Sequence, residues 1–312
     1  MLKKLLALFL LFLLLPGAAA AVPVQPDQAA VSPLDGGKLD FWNTAGADAW
    51  ARKELELFPG AGDVLTVIAA QQGIAADCLI LQCGGQTALI DCGRLGPNDL
   101  VPRLLEQLGV GRIDYIINTH PHDDHINGIF ELLQRYPIGR IYVGFERHYR
   151  NLNKRLFREA EALDIPVEQL TPPVTLRLGT AELMVYQVPW GDNTNNRSLV
   201  TRVTLGERSI LLTADIGQSG ILWLFQTYGE DAFQADILKI PHHGIDPIVP
   251  ELLKAAEPQA VFITYYPHKN TAEMEKKLNA LGYEPIYTGY NTLVMKTDGE
   301  VWTVTQLPKE EK

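Results

Sequence analysis

The run from Thr119 to His125 reads Thr-His-Pro-His-Asp-Asp-His and places three imidazoles and two carboxylates directly after an apolar stretch. Imidazole nitrogens and carboxylate oxygens are the ligands that Zn²⁺, Mn²⁺ and Fe²⁺ take in proteins. A turn that leaves a strand can point alternate side chains at one spot, so His120 and His122 are expected to share one metal ion. Asp124 and His125, one step further along, are expected to serve a second ion beside it.

A second group of metal-binding residue types follows later in the chain. His242 and His243 stand in Lys-Ile-Pro-His-His-Gly, and Asp215 ends the intervening run Leu-Leu-Thr-Ala-Asp. One carboxylate can bridge two cations, and Asp215 lies where a two-metal site needs such a bridge. Five of the seven histidines fall in the two clusters, which random placement rarely produces. We therefore predict a metal centre rather than a polar loop with incidental histidines.

The residues alone leave open whether His242 or His243 is the metal ligand. Adjacent side chains on an extended segment point to opposite sides, so we expect that the two do not bind the same ion. A bound metal lowers the pKa of its water towards about 7 and makes hydroxide available at neutral pH. A second ion polarises the phosphoryl or carbonyl oxygen under attack, and Asp124 is a candidate to hold the hydroxide. The predicted chemistry is metal-assisted hydrolysis.

The elements that position these residues follow from the apolar pattern. Runs rich in β-branched residues and bounded by glycine are typical of buried strands, and apolar residues three and four apart predict helices. Several strands followed by alternating helix and strand occur in each of two halves, and no linker divides the body into two domains. Helices are predicted at 99–108, 126–134, 147–163 and 271–281, and strands at 64–70, 78–83, 87–90, 115–118, 141–143, 183–188, 198–204, 209–213, 237–240, 260–264, 292–296 and 301–304.

Two segments precede the predicted hydrolase domain, which we place at 63–308. Lys3 and Lys4 are followed by an aliphatic run and by alanines that offer cleavage sites, so residues 1–21 are interpreted as a secretory signal peptide. The run is about half of the ~20 residues that a membrane span needs, and no span is expected after cleavage. Residues 22–62, rich in Pro, Ala, Asp and Gly, are interpreted as a lead-in or linker. A secreted or cell-surface protein is expected.

Charge and composition restrict the partners. Lys and Arg number 27 against 37 Asp and Glu, which makes the net charge −10. Such acidity repels polyanions at long range and counts against a stable nucleic-acid partner. The three cysteines, Cys78, Cys83 and Cys92, lie in apolar stretches and are interpreted as buried free thiols. A Cys78–Cys83 or Cys83–Cys92 bridge is the alternative.

The run His-Pro-His-Asp-Asp-His resembles the H-x-H-x-D-H signature of the metallo-β-lactamase superfamily, and the resemblance extends over roughly 64–304. Asp91 is similar to the first motif, in which the aspartate supports the metal loop, and Asp215 to the bridging aspartate. The resemblance favours His243 as the last ligand and leaves His242 as a neighbouring group or general acid. It implies an α/β fold, an αββα sandwich of two mixed sheets flanked by helices, with one or two divalent ions, Zn or Mn, at one edge.

Within the superfamily the chain most resembles the ComEC-like extracellular hydrolase domains. Many members carry a third-motif histidine between the two clusters, but no His lies between 188 and 200 in this chain, and the ComEC-like group shares that gap. The resemblance therefore implies that one ion has only His120, His122 and Asp215 from the protein and binds more weakly than the other. The similar segments are Gln72-Gly73 with Asp77 (G-Q-G-D), Asn195 to Val200 (N-N-x-S-L-V) and Lys239 to Gly244 (K-x-P-H-H-G).

The function implied is a secreted metal-dependent hydrolase, first of all a phosphodiesterase or nuclease that acts on a phosphoester such as extracellular DNA. The nearer alternative is a phosphorylcholine esterase acting on a choline-bearing cell-wall polymer, because choline-binding esterases are similar in the same regions. The absent third histidine disfavours a β-lactamase, and the intact ligand set disfavours a non-catalytic binding protein. Candidate catalytic residues are Asp124 and His242, and candidate substrate contacts are Asn196, Ser198, Arg147 and Arg150, the arginines on a basic helical stripe with Lys154 and Arg158.

Overall fold

The computed structural model describes residues 63–94, 100–289 and 291–308, together with the backbone of a short strand at 32–33. The predicted signal peptide at 1–21 and, apart from that strand, the lead-in at 22–62 lie outside the described residues. Within the described ranges, no helix combines the length and the apolar character that crossing a membrane requires.

Sixteen strands form two sheets in the described parts of the chain. They are β1 (Ser32–Pro33), β2 (Leu65–Ala69), β3 (Cys78–Cys83), β4 (Gln86–Cys92), β5 (Tyr115–Asn118), β6 (Ile141–Val143), β7 (Val167–Gln169), β8 (Val174–Leu178), β9 (Ala181–Tyr186), β10 (Val200–Leu205), β11 (Arg208–Leu212), β12 (Ile237–Lys239), β13 (Ala260–Ile263), β14 (Ile286–Tyr287), β15 (Asn291–Thr297) and β16 (Trp302–Pro308). The first sheet has the order β1-β16-β15-β2-β3-β4-β5-β6-β7 and the second the order β14-β13-β12-β11-β10-β9-β8. Strands β4 to β7 run parallel, as do β11 to β14, and the other pairs are antiparallel.

The helices cover the outer faces of the sheets. They are α1 (Leu100–Gln107), α2 (Asp123–Arg135), α3 (Asn151–Glu161), α4 (Gln218–Tyr228), α5 (Pro250–Ala256) and α6 (Ala272–Ala280), with short 3₁₀ turns at Asn195–Arg197, Glu230–Phe233 and Pro241–Gly244. One apolar cluster fills the space between the sheets, a second packs α1 to α3 on the first sheet, and a third packs α4 to α6 on the second. The predicted αββα sandwich of two mixed sheets is therefore confirmed.

Burial on both faces explains why the strands read as continuous apolar runs. In β4, Ala88 and Ile90 belong to the cluster between the sheets, whereas Leu89 between them belongs to the cluster under the helices. Successive side chains on a strand point to opposite faces, so a sheet covered on both sides requires apolar residues at consecutive positions.

Several boundaries differ from the predicted ones. Helix α2 begins at Asp123, so the first metal motif is divided between a turn and the first turn of a helix. Helix α3 begins at Asn151, so Arg147 and Arg150 precede it and the predicted helical stripe does not form. Helix α4 was not predicted, because five consecutive apolar residues at 221–225 hide the helical period.

The three cysteines are free thiols, as the first of the two sequence interpretations predicted. Cys78, Cys83 and Cys92 are buried and free, which confirms the prediction of free thiols. The strand register places Cys78 opposite Cys92 and Cys83 opposite Gln86, so neither of the bridges considered from the sequence corresponds to a cross-strand pair.

Candidate metal centre

The predicted metal ligands come together at the carboxyl ends of parallel strands, the usual position of a site in such sheets. His120 and His122 follow β5, Asp124 and His125 open α2, Asp215 follows β11, and His243 follows β12. The donor atoms of Asp124, His125, Asp215 and His243 all lie within 4.8 Å of one another, and so do those of His120, His122 and Asp215. The arrangement is two adjacent donor groups that share the carboxylate of Asp215.

The first position is formed by His120, His122 and Asp215. His120 Nε2 lies 3.0 Å from His122 Nδ1 and 3.6 Å from Asp215 Oδ2. Tetrahedral ligands with metal–nitrogen bonds of about 2.0–2.1 Å stand roughly 3.3 Å apart, so these separations suit one divalent ion.

The second position uses Asp124, His125 and His243 with the same shared carboxylate. His125 Nε2 lies 3.1 Å from Asp215 Oδ2, and His243 Nε2 lies 3.5 Å from Asp215 Oδ1 and 3.5 Å from Asp124 Oδ2. Asp124 Oδ1 is 4.0 Å from His125 Nε2. These four side chains surround one point, as the ligands of a metal ion do.

Unpaired buried atoms test whether the cluster fits a cation. Among the described residues, His125 Nε2, His243 Nε2 and Asp215 Oδ1 are buried and make no hydrogen bond. Buried polar atoms are normally satisfied, and an exception calls for a missing partner such as an ion. All three atoms belong to the second position, so its donor set fits a divalent metal ion.

Asp91 supports the cluster from behind. One of its oxygens accepts hydrogen bonds from Thr119 N at 2.8 Å and Asn118 Nδ2 at 2.9 Å, while the other accepts from Thr119 Oγ1 at 2.6 Å and lies 2.6 Å from His125 Nδ1. The carboxylate also lies within reach of His120. Because both oxygens are already engaged, we assign Asp91 to holding His125 in place, with Nε2 of that ring facing the cluster.

A buried chain of polar groups supports His243 in the same way. Thr264 Oγ1 donates to Asp77 Oδ1 at 2.5 Å and accepts from His243 Nδ1 at 2.9 Å, so the Nε2 lone pair of His243 faces the cluster. Asp77 lies 2.8 Å from Lys239 Nζ, which also donates to the carbonyl of Ala214 at 2.9 Å. In the sequence, Asp77 and Lys239 stood out only as points of resemblance to the ComEC-like domains. A lysine inside the apolar strand β12 was the available signal, because a buried ammonium needs a partner.

The local charges favour positive charge among the ligands. Burial lowers the pKa of His125, but Asp215 and Asp91 raise it more, and the net value lies well above the ordinary one. Burial likewise opposes the charge on His243, yet Asp215 and Asp77 raise its pKa to about 9. Burial works against the charge of Asp215, but His125 and His243 hold its pKa well below the usual range. A divalent cation meets the same electrostatic demand while leaving the Nε2 lone pairs free to bind it.

His242 and His243 lie on a left-handed turn, with φ of 47° and 53°. The expectation of an extended segment with opposed side chains is therefore wrong. His242 Nε2 lies 3.7 Å from Asp215 Oδ2, and its Nδ1 lies 2.7 Å from Asp246 Oδ2. Both imidazoles therefore approach Asp215 from one turn. The His242 side chain is 23 % exposed, whereas that of His243 is buried.

The two candidate arginines are separated by the structure. Arg150 is exposed, donates to Thr194 Oγ1 at 2.7 Å, and joins burial in lowering the pKa of His122, so its positive charge lies beside the first position. Arg147 pairs instead with Glu161 at the end of α3. Of the two arginines, only Arg150 acts on a residue of the metal centre within the described part of the chain.

Asn196 makes hydrogen bonds inside the protein, whereas Ser198 Oγ is buried without a hydrogen-bond partner among the described residues. Asn196 Nδ2 donates to Ser219 Oγ at 2.7 Å, and its Oδ1 accepts from Gly217 N at 3.0 Å. Both partners lie at the start of α4, just after Asp215, so Asn196 fixes the path of the chain there. Ser198 is fully buried.

Comparisons with known proteins identify a family and two curated relatives. The model of the metallo-beta-lactamase superfamily matches residues 73–285. ComE operon protein 3 of Bacillus subtilis is 24 % identical over 192 residues, 58 % of this chain and 24 % of that protein. Coenzyme F420H(2) oxidase of Methanothermobacter marburgensis is 35 % identical over 105 residues, 29 % of this chain and 26 % of that protein. The chain thus spans about a quarter of the length of these curated relatives.

Solved structures give a likeness of fold. CmlA, a diiron beta-hydroxylase from Streptomyces venezuelae, superposes with a TM-score of 0.50 at 16 % identity, over 76 % of this chain and 54 % of that chain. At this identity the likeness concerns the fold alone.

Proposed function

Since the chain belongs to the metallo-β-lactamase superfamily, we propose that it is a secreted hydrolase that uses two divalent metal ions, Zn or Mn, to cleave a phosphodiester. The observation that carries the proposal is the pair of donor groups that share Asp215. Paired cations stabilise both the attacking and the leaving oxygen of an in-line displacement, and they lower the pKa of a coordinated water to about 7. Secretion rests on the signal peptide predicted at 1–21.

In the proposed reaction, Asp124 orients the attacking water. Its side chain is 17 % exposed and lies between the buried ligands and solvent. Burial raises its pKa, but His243 and His125 lower it more, to about 2, so the group is a carboxylate at neutral pH. A carboxylate accepts hydrogen bonds only, and it can hold a water by one of that water's protons. The predicted proton-donor role of His242 stays a prediction.

Arg150 supports a phosphoester over a neutral substrate. A guanidinium matches the geometry of phosphate oxygens with parallel N–H donors. Arg150 is exposed beside His122, where it can bind a non-bridging oxygen of a phosphoryl group at the first position. Because the chain as a whole is acidic, this local positive charge favours a substrate whose charge is concentrated on one phosphate.

A phosphorylcholine ester is the second candidate, favoured by an exposed tryptophan. Trp190 is 61 % exposed and lies on the loop that leads to Thr194, the hydrogen-bond partner of Arg150. Its ring meets that of Trp223 edge-on, with centroids 6.1 Å apart. Exposed aromatic faces bind quaternary ammonium groups, so this loop offers a place for choline next to the phosphate.

The test is hydrolysis by the purified, metal-loaded protein. Plasmid DNA, bis(p-nitrophenyl) phosphate and p-nitrophenylphosphorylcholine are offered in parallel, with Asp215→Asn as the inactive variant. Asp164→Asn, on an exposed turn and outside the donor groups, is the matched control. The proposal expects diester cleavage that Asp215→Asn loses and Asp164→Asn keeps. Cleavage of the choline ester alone selects the second candidate. No hydrolysis of any phosphoester by protein that retains metal refutes both.

A further inference from the structure

We propose that a cavity on the outer side of the second sheet binds an aliphatic chain of the substrate, which makes the substrate an amphiphilic phosphoester. The inference rests on the proposed function, because the phosphate of that substrate belongs at the metal centre. The cavity has a volume of about 270 Å³ and lies between the second sheet and helices α4 to α6. None of the candidate metal ligands lines it.

The size of the cavity is unusual for the interior of a protein. Cores are closely packed, and few voids in them exceed the size of a water molecule. A cavity of about 150 Å³ with an apolar lining stays dry and binds benzene, and pockets for small molecules span about 300–1,000 Å³. At about 270 Å³ the cavity lies between these cases, so it has room for one apolar group of moderate size.

The wall of the cavity is aliphatic and buried. It is formed by Leu238 of β12, Leu252 and Leu253 of α5, Met274 of α6, and Val249 directly before α5. Such a wall binds an alkyl chain through burial of apolar surface, with a gain that grows with chain length. No aromatic side chain is among the described residues that line the cavity, so it offers no ring on which a nucleobase could stack.

The exposed residues of the lining mark the mouth of the cavity. Gln218, Asp246 and Pro247 are exposed, so the cavity opens between the start of α4 and the loop before α5. The described lining contains no Lys, Arg or His. A carboxylate at the mouth with no cation in the lining repels an anionic head group, which disfavours a free fatty acid. The chain therefore belongs to a molecule whose negative charge lies outside the cavity.

The mouth lies beside the metal centre. Asp246 Oδ2 is 2.7 Å from His242 Nδ1, and Nε2 of the same ring is 3.7 Å from Asp215 Oδ2. Gly217, another lining residue, follows Asp215 by only two positions. One imidazole ring thus separates the mouth from the shared carboxylate. A phosphodiester with an alkyl arm can place its phosphate at the metal centre and its arm in the cavity, whereas DNA has no such arm.

Binding of a neutral apolar fluorophore tests the cavity without any phosphoester. N-phenyl-1-naphthylamine is added to the purified protein, and its fluorescence rises when it enters an apolar site. We expect one saturable site per chain. A series of 1-alkanols should displace the probe about fourfold more strongly for each added methylene until the cavity is filled, which is the change that burial of one methylene implies.

Two variants in the lining locate the binding site. Val249→Phe fills the cavity from its wall and should weaken probe binding by about tenfold or more, whereas Val301→Phe, at an exposed position outside the lining, should not. Ile248→Glu covers the case in which the overpacked variant does not fold, because Ile248 is only partly buried. Its carboxylate should weaken probe binding as well, and Leu163→Glu, exposed beyond α3, is its control.

Hydrolysis of p-nitrophenyl alkyl phosphates of increasing chain length assigns the cavity to the substrate. KM should fall about fourfold per methylene in the unaltered protein and in Val301→Phe, and should not depend on chain length in Val249→Phe. If the probe does not bind, or if both lining variants bind it as the unaltered protein does, the inference is refuted. A KM that is independent of chain length in the unaltered protein also refutes it, and in both cases the proposed function stands. Binding of the alkanols by a protein that hydrolyses no phosphoester supports the binding site and refutes the proposed function.

Discussion

Lys239→Met replaces a buried ammonium by an apolar side chain of similar length. The change removes the 2.8 Å ion pair with Asp77 and the 2.9 Å hydrogen bond to the carbonyl of Ala214. Asp77 then stays buried without its cation. Breaking a buried ion pair from one side costs about 3–5 kcal/mol, because an uncompensated charge remains. We expect the free energy of unfolding to fall by about that amount.

The assay is denaturant unfolding of the metal-free protein, followed by circular dichroism. Metal is removed first because a bound ion adds its own stabilisation and would hide part of the loss. Lys254→Met is the matched control. Its ammonium is 80 % exposed and lies 3.9 Å from Glu230, so its loss should change the free energy of unfolding by less than about 0.5 kcal/mol.

A double variant separates the charge from the packing. In Lys239→Met with Asp77→Asn both charges are absent, and replacing both members of a buried pair is often close to neutral. We expect the double variant to recover most of the stability that Lys239→Met loses. A Lys239→Met protein that unfolds with the free energy of the unaltered chain would refute the claim that this buried ion pair stabilises the fold.

Three further outcomes follow from the structure. Gly128→Ala should lower the thermal midpoint and weaken metal binding, because the added Cβ would overlap the carbonyl of Cys92 and push α2 away. Gly111→Ala is the control, since the space around Gly111 is open, and it should change neither the thermal midpoint nor metal binding. Arg150→Ala should raise KM for a phosphodiester about tenfold, as loss of about 1.4 kcal/mol of binding implies, while Arg147→Ala leaves steady-state kinetics unchanged. Chelation should lower the thermal midpoint, since a ligand at a hundred times its Kd adds about 2.7 kcal/mol of stability, and Zn²⁺ should restore it; a midpoint indifferent to chelator would contradict a bound ion.

Most of the candidate metal ligands could be predicted from the sequence, because the residues that indicate them lie close together along the chain. His120, His122, Asp124 and His125 lie within six residues, and their types alone indicate a metal. The strands that carry them are buried on both faces and therefore appear as apolar runs. The αββα class follows from those runs together with the resemblance to a known family.

The supports of the ligands could not be predicted, because they depend on contacts between distant segments. Thr264 and Asp77 are 187 residues apart and meet only when the two sheets pack face to face. The position of His242 depends on a left-handed turn, and non-glycine residues rarely adopt that conformation, so the sequence predicted an extended segment. In the structure Arg147 pairs with Glu161 at the far end of α3, and no local sequence pattern indicates this contact.

The donors belong to both layers of the sandwich. His120 and His122 extend from the first sheet, whereas Asp215 and His243 extend from the second. A divalent ion bound between them would link the two sheets at this edge and would oppose sliding of one sheet over the other, which the non-directional apolar core does not. Removal of such an ion would leave the core intact and would loosen the contact between the sheets at this edge. The rigidity of the edge would then depend on the metal supply, independently of any chemistry performed there.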